Sequence, residues 1–552
     1  MSTTTHTNAN SVFSNPILLG GICDNSSNKE LLCVMRSSRL GFSTAASRIW
    51  RSLDGIEPLL MLLAPTLELL RRNEDDEDDE DVMKVTLPAF SSDIFTRFDC
   101  YSTFVRKLIA SHTWSINSPE FTSLKIESWS SLSLQVQRAP LLPNLEDLSF
   151  AGSFSGQNEM ILWISTFVSP SVRTLNLCDF GYISDYLATV AVFSLLTQQA
   201  PELKNLSHDF RIVPSRHDDI VIEKSVSRLV LSPLACGYLH NSQHLTHLAV
   251  GGLFINTATL TEISCLPKLQ HLSINQLDNR NKNLARTFNE IQLPLESFPS
   301  LRSIQLSADA LNDIIAAWNV IPLVSSLTSV TLELILFKRP VINAFYDDEV
   351  LLSILPRLFA SSPHIKELTL DGSISPEDSE SLSTNLAGSS WIHMGRVSLS
   401  YLGLKNFKVD AASLNNVQRI WPYLVVLDIP EQKLALQHLI HLSQLPELKK
   451  IIAAKIEDIE QIPELQGRSS SPLQTIQLLL EELDQVWIKS AENVARFLLG
   501  LLPKLQQIVY PSKLRISQPD LKLLNMHIRM IRDSENHGKD GNSLRTRFTQ
   551  NN

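Results

Sequence analysis

Residues 245–274 read LTHLAVGGLFINTATLTEISCLPKLQHLSI, and they hold two copies of one pattern, L-x-x-L-x-L, whose first leucines, Leu245 and Leu269, stand 24 positions apart. In each copy the last two apolar residues alternate with period two, which marks a short strand with one buried face. The leucine three positions before them lies in the turn that feeds the strand and also points inward. Working outward, the pattern recurs as Leu145-Leu148-Phe150, Val172-Leu175-Leu177, Leu203-Leu206-His208, Leu301-Ile304-Leu306, Leu327-Val330-Leu332, Ile365-Leu368-Leu370, Leu424-Leu427-Ile429, Leu448-Ile451-Ala453 and Leu505-Ile508-Tyr510. Adjacent starts often lie 24 to 32 residues apart, and the wider gaps leave room for degenerate copies near Val226-Leu229-Leu231 and Val397-Leu399. Helix-compatible stretches such as Ser184–Gln199, Ala310–Trp318 and Glu349–Ala360 fall between strands. One strand and one helix cannot close a core alone, but stacked copies bury a continuous one.

This pattern resembles the leucine-rich-repeat family over roughly 142–510. The resemblance implies an α/β solenoid with parallel strands on the concave side and helices on the convex side. The asparagine that the family carries after the strand is mostly missing.

The bulk numbers agree with a folded chain. Hydrophobic residues make up 43% and charged residues 19% of the 552, enough to bury a substantial core. Eight of the acidic residues form one run, Glu74 to Asp81, which repels itself and reads as a solvated linker or loop; the rest of the chain, whose formal net charge is −10 in all, is nearly balanced. No basic run suited to a phosphate backbone occurs, which argues against nucleic acid as the main ligand. Six cysteines are scattered without C-x-x-C spacing and read as buried free thiols of a reducing compartment. No secretory signal and no apolar run of membrane-spanning length is evident, so a cytoplasmic or nuclear protein without membrane attachment is expected.

Residues 15–53 carry a second resemblance. Pro16, Leu18, Leu19 and Ile22 open a first helix, Leu31 and Leu32 follow a polar loop, Arg39 and Phe42 form a basic-aromatic step, and Trp50 closes the segment. This order is similar to an F-box, and with Phe95–Leu108 and 162–177 it looks like the repeat-bearing F-box proteins of fungi. The acidic residue usual after the proline is Ile17 here, and Gly20 and Gly21 sit inside the first helix, each costing about 1 kcal/mol relative to alanine. A helical cap over the solenoid end is the competing reading. The expected organisation is a disordered tail at 1–10, an F-box-like helical segment at 11–64, an acidic linker at 65–86, a solenoid at 87–530 and a second disordered tail at 531–552.

The F-box resemblance implies a substrate receptor of an SCF-type ubiquitin ligase, docked on a Skp-type adaptor and through it on a cullin scaffold. It assigns adaptor binding to Pro16, Leu18, Leu19, Leu31, Leu32 and Trp50, with Ile22 and Phe42 holding the helices together. Target binding is expected on the exposed strand positions Ser149, Asn176, Ala249, Ser273, Gln305, Thr331, Thr369 and Asp428. The alternative is a repeat scaffold with no ligase role.

No catalytic or cofactor signature emerges. The Gly152–Gly156 stretch has Phe154 where a nucleophile elbow needs serine. His438 and His441 lie three apart without further ligands. The expectation is therefore a non-enzyme without cofactor or metal.

Overall fold

The computed structural model describes residues 14–63, 67–70, 82–86, 92–111, 113–114, 122–127, 136, 139–151, 157–177, 186–208, 233–252, 255–275, 284–308, 311–334, 348–372, 384–386, 397–457, 470–479, 486–509 and 524–534. The chain forms two compact units. The first holds Met1–Ser273 with Phe298–Ser300, and the second holds Ile274–Ser297 with Leu301–Asn552.

The first unit begins with three short helices, α1 (Pro16–Asp24), α2 (Asn28–Met35) and α3 (Arg39–Ile49). Each start is capped. The Asn15 side chain accepts from the Ile17 and Leu18 N–H groups, with Pro16 opening the helix, and Ser27 and Glu30 form a capping box. The Ser38 hydroxyl accepts from the Gly41 N–H. Strand β1 (Ser52–Asp54) and helix α4 (Glu57–Leu63) follow, then β2 (Leu67–Leu70), β3 (Val82–Thr86), helix α5 (Ser92–Ser102), β4 (Lys107–Ser111), β5 (Thr113–Trp114), β6 (Thr122–Glu127), β7 (Asp147–Ala151), β8 (Thr174–Asn176), β9 (Asn205–His208), β10 (His247–Gly251) and β11 (His271–Asn275), whose last two residues belong to the second unit. The main sheet runs in the order β1-β4-β7-β8-β9-β10-β11, and from β1 to β10 every pairing is parallel and in register. Helices Gln157–Phe167, Tyr186–Gln199, Pro233–Asn241 and Thr257–Ser264 lie between successive strands in the chain.

In the second unit the strands are β12 (Ser303–Ala308), β13 (Ser329–Leu334), β14 (Glu367–Asp371), β15 (Thr384–Leu386), β16 (Tyr401–Lys405), β17 (Phe407–Val409), β18 (Val426–Ala435), β19 (Lys450–Glu457), β20 (Thr475–Leu478) and β21 (Gln507–Val509). The order β12-β13-β14-β16-β18-β19-β20-β21 is parallel throughout, with β15 and β17 forming a small separate pair.

This is a leucine-rich-repeat solenoid, and the repeat positions explain it. Leu145, Leu148, Phe150, Val172, Leu175, Leu177, Leu245, Leu248 and Val250 are all buried, as are Leu301, Ile304, Leu306, Leu424, Leu427 and Ile429 in the second unit. The first apolar residue of a copy is fixed by a tight turn: the Leu145, Val172, Leu203 and Leu245 N–H groups donate to carbonyls three residues earlier. The next residue then gives its carbonyl to two N–H groups of the following repeat. Arg106 takes Glu146 and Asp147, Arg173 takes Lys204 and Asn205, and Lys366 takes Ser400 and Tyr401. At the far end of the second unit, the Asn525 amide accepts from the Ile508 N–H at 3.0 Å and donates to the Ile508 carbonyl at 2.8 Å. A side chain thus satisfies backbone groups that a further strand would otherwise have met.

The array is longer than the pattern suggested. Trp50-Leu53-Gly55 and Val105-Leu108-Ala110 occupy the same ladder positions, since Arg51 accepts from both Arg106 and Lys107. The sheet therefore starts inside the expected 11–64 helical segment, with β1 at Ser52–Asp54. Leu473-Ile476-Leu478 is a further buried copy. The degenerate copy near Val397 is Leu399-Leu402-Leu404, with the strand two residues later than expected. Val226-Leu229-Leu231, Tyr510 and the Glu74–Asp81 run lie outside the described residues. The ends of the expected 65–86 linker are strands: β2 pairs antiparallel with β3, and β3 pairs with β6. A helix over 524–534 runs into the expected C-terminal tail. Cys23 is buried, but Cys33, Cys100 and Cys265 are exposed free thiols, so burial holds for one of these four. Among the described residues, no helix is long and apolar enough to cross a membrane.

His208 closes its copy where the flanking copies carry Leu177 and Val250. It lies fully inside the core, edge-on to Phe193 with ring centroids 5.4 Å apart, and burial pushes its pKa down to about 3. The unfolded chain protonates this imidazole near pH 6.5 while the folded one does not. The unfolded state then binds more protons, so stability declines as the pH falls from about 6.5 towards 3. Denaturant midpoints measured across this range should drop steadily for the native chain, and less steeply for His208→Leu.

Candidate functional site

Two surfaces collect the residues singled out in the sequence, and both are built by local periodicity. The first is the N-terminal helical bundle. Its inner side is a small core of Leu19, Cys23, Leu31 and Ala45, with Val34, Met35, Leu40 and Ile49 packed against it. In α1, positions 19 and 23 face in, one helical turn apart, which turns 17, 18, 21 and 22 outward. In α2, Leu31 faces in and its neighbour Leu32 faces out. The outer face is apolar: Ile17 is 83%, Leu18 52%, Ile22 43% and Leu32 49% exposed, and Pro16 is exposed beside them. Lys29 and Arg36 flank Leu32 on the same side of α2, at helical spacing.

The six expected adaptor-binding residues therefore divide. Pro16, Leu18 and Leu32 are on the surface. Leu19 and Leu31 are not, because the 3.6-residue period places them in the bundle core. Trp50 is half-buried: its ring lies 4.7 Å from that of Tyr101 in α5, since it occupies the first apolar position of the first repeat. Phe42 also reaches Tyr101 and Phe104, with centroids at 5.7 and 6.3 Å. These rings join the bundle to the first repeats. Ile22, expected between the helices, is exposed instead. Ile17 and Gly21 belong to the same outer face, and the helical spacing 17, 18, 21, 22 was the signal that marks them.

The second surface is the open side of the sheet. In the first unit Ser149, Asn176 and Ala249 fall into one cross-strand row, in register through Ser207, and Ser273 is partly exposed at the equivalent position of β11. In the second unit Gln305, Thr331, Thr369 and Asp428 form a row through Gly403. All eight expected target-binding residues are partly or fully exposed. The neighbouring rows give the two units different chemistry. In the first, the His247 and His271 rings stack 4.1 Å apart at 10°, at the starts of β10 and β11. Partial burial, then repulsion from His271, lowers the His247 pKa. In the second, the Tyr401 hydroxyl donates to Asp428 at 2.8 Å and its pKa is raised, first by burial and then by that bond. Ser307 donates to Glu333 at 2.6 Å and Asn406 to Asp371 at 3.0 Å. Burial raises the Glu431 pKa, with further repulsion from Asp371 and Asp428.

His438 turns inward, where its Nδ1 accepts from the Ala435 N–H at 3.2 Å, so it is not paired with His441 for a metal. No group of three or more potential metal ligands occurs among the described residues.

No protein-family model matches the chain. No curated protein matches it either. Among solved structures it is similar to an internalin from Listeria monocytogenes, at 15% identity and a TM-score of 0.26 over 80% of this chain and 98% of that one. It is also similar to the Rad7 and Elc1 complex of yeast, at 12% identity and a TM-score of 0.31 over 94% of this chain and 93% of that one. At these scores the assignment of fold and surfaces rests on the geometry above.

Two glycines of the bundle separate packing from surface. A Cβ on Gly41 would stand 2.5 Å from the Val34 carbonyl and 2.7 Å from the Ser37 hydroxyl, whereas one on Gly21 meets nothing within 4 Å. Gly41→Val should destabilise the bundle by about 1–3 kcal/mol through overpacking. Gly21→Ala should leave it unchanged or stabilise it by up to about 1 kcal/mol. Hydrogen exchange of the amides in 16–49 reads both outcomes.

Proposed function

We propose that this chain is the substrate-recognition subunit of an SCF-type ubiquitin ligase. The N-terminal helices dock a Skp-type adaptor that links to a cullin scaffold, and the repeat sheet holds a target protein. The observation that carries this reading is the outward apolar face of Ile17, Leu18, Ile22 and Leu32 on a bundle that already has its own closed core. Apolar side chains left outside a satisfied core mark a contact surface. The receptor itself contributes no acid, base or nucleophile and needs no cofactor. Its effect is to raise the effective concentration of the target near the transferring enzyme. A cytoplasmic or nuclear location follows from the same reading.

Aromatic packing supports the second reading, a repeat scaffold without a ligase role. Trp50 and Phe42 are taken up by Tyr101 and Phe104, as in a cap that closes the end of the array. The two readings differ in what leaves the cell with the chain. Tagged full-length protein should recover a Skp-type adaptor and a cullin on affinity purification. Leu18→Asp with Leu32→Asp should reduce that recovery at least about tenfold while the bundle stays folded, because both residues lie on the surface and outside the core of Leu19, Cys23, Leu31 and Ala45. Absence of the adaptor from wild-type purifications rejects the ligase reading and leaves the scaffold.

A further inference from the structure

The residue that links the first apolar position of a repeat to its strand gives its carbonyl to the ladder, so its side chain is left at the leading edge of the sheet. In the first unit, successive strands place Arg51, Arg106, Glu146, Arg173 and Lys204 there, all exposed. Strands lie about 4.8 Å apart, so these five positions span about 19 Å in one line. Arg106 pairs with Glu146 at 3.2 Å. Arg51, Arg173 and Lys204 make no ion pair with any described residue. The turns that precede β9, β10 and β11 carry Glu202, His244 and Lys268; Glu202 lies 3.8 Å from His244, and Lys268 lies 3.2 Å from the other nitrogen of that ring. The edge is thus net positive on a chain whose formal charge is −10. It is invisible as a basic run because its cations are 31 to 67 residues apart in sequence.

We propose that this leading edge docks an extended acidic segment of a partner protein. Its carboxylates would lie opposite Arg51 and opposite the Arg173–Lys204 pair, with an uncharged or basic residue opposite Arg106 and Glu146. Charge complementarity selects the class of occupant. A nucleic acid presents an unbroken line of phosphates, one of which would fall opposite the Arg106–Glu146 pair, where the cation is already matched, and another near Glu202. A peptide can leave those positions neutral. The cations are held at fixed spacing by the backbone ladder, so an extended segment meets them without reorganising the sheet. The inference goes beyond the ligase reading and does not depend on it, because none of these residues belongs to the adaptor face.

The test uses the full-length chain and a fluorescein-labelled peptide with two Glu-Glu pairs joined by a Ser-Gly spacer, followed by anisotropy at low and at physiological salt. The wild type should bind, more weakly as salt rises. Arg51→Glu, Arg173→Glu and Lys204→Glu together should weaken binding by about tenfold or more, and the milder Arg51→Gln, Arg173→Gln, Lys204→Gln set by less. Glu146→Lys should strengthen it. Adaptor recovery should be unchanged in all of these variants, which separates this result from the fate of the ligase reading. Three results would overturn the proposal: no binding by the wild type, equal binding by the folded triple variant, or a single-stranded oligonucleotide of matched length binding more tightly than the peptide.

Discussion

The repeat sheet in each unit depends on one backbone arrangement, a carbonyl at the head of a strand that receives two N–H groups from the next repeat. Arg51, Arg106, Glu146, Arg173, Lys204 and Thr246 do this in the first unit, and Arg302, Thr328, Lys366, Ser400, Val425 and Lys449 in the second. These bonds set the parallel register, and the register puts the leucines of one repeat directly beside those of the next. Hydrogen bonding alone contributes modestly to net stability. Its larger effect is to bring apolar residues into a stack where no water remains, as at Leu148, Leu175, Leu206 and Leu248. A strand that lost this register would expose its whole apolar set.

The same arrangement explains why the surfaces carry information. With every second strand residue committed to the core and the leading carbonyls committed to the ladder, each strand leaves its open-face positions and its leading edge free to vary. The first unit uses them for paired imidazoles and separated cations, the second for Tyr401 and a group of carboxylates. Ladder geometry therefore turns substitutions scattered along the sequence into adjacent points on one surface. Recognition can diverge without any change to the fold.

The N-terminal bundle follows different physics. Its core is a handful of side chains, too few to be strongly stable alone, and its third helix leads directly into the first strand of the sheet. Phe42 and Trp50 lie against Tyr101 and Phe104 and extend that small core into the first repeats. The apolar face left outward on α1 and α2 is then supported from behind, which suits a docking surface better than a loosely attached helix would.

The period of the pattern was written in the sequence. Leucines at fixed offsets and turns of proline or serine determined a strand-and-helix repeat from Leu145 to Leu505, and nearly every named apolar position is buried as its period requires. The copies that start at Trp50 and Val105 stand 55 and 40 residues before the next one, outside the 24-to-32 spacing of the series, so the first two strands emerged only from hydrogen bonding across the ladder. The sequence also marked 15–53 as helical, yet it did not say which face of each helix would turn inward. That choice separated Leu18 from Leu19 and Leu32 from Leu31, and it followed from which sides of three helices could close on one another. Periodicity is a property of neighbours along the chain and is legible there. The partner of a face, the row of cations at Arg51, Arg106, Arg173 and Lys204, and the ring that meets Trp50 are properties of residues brought together from far apart, and only the folded chain decides them.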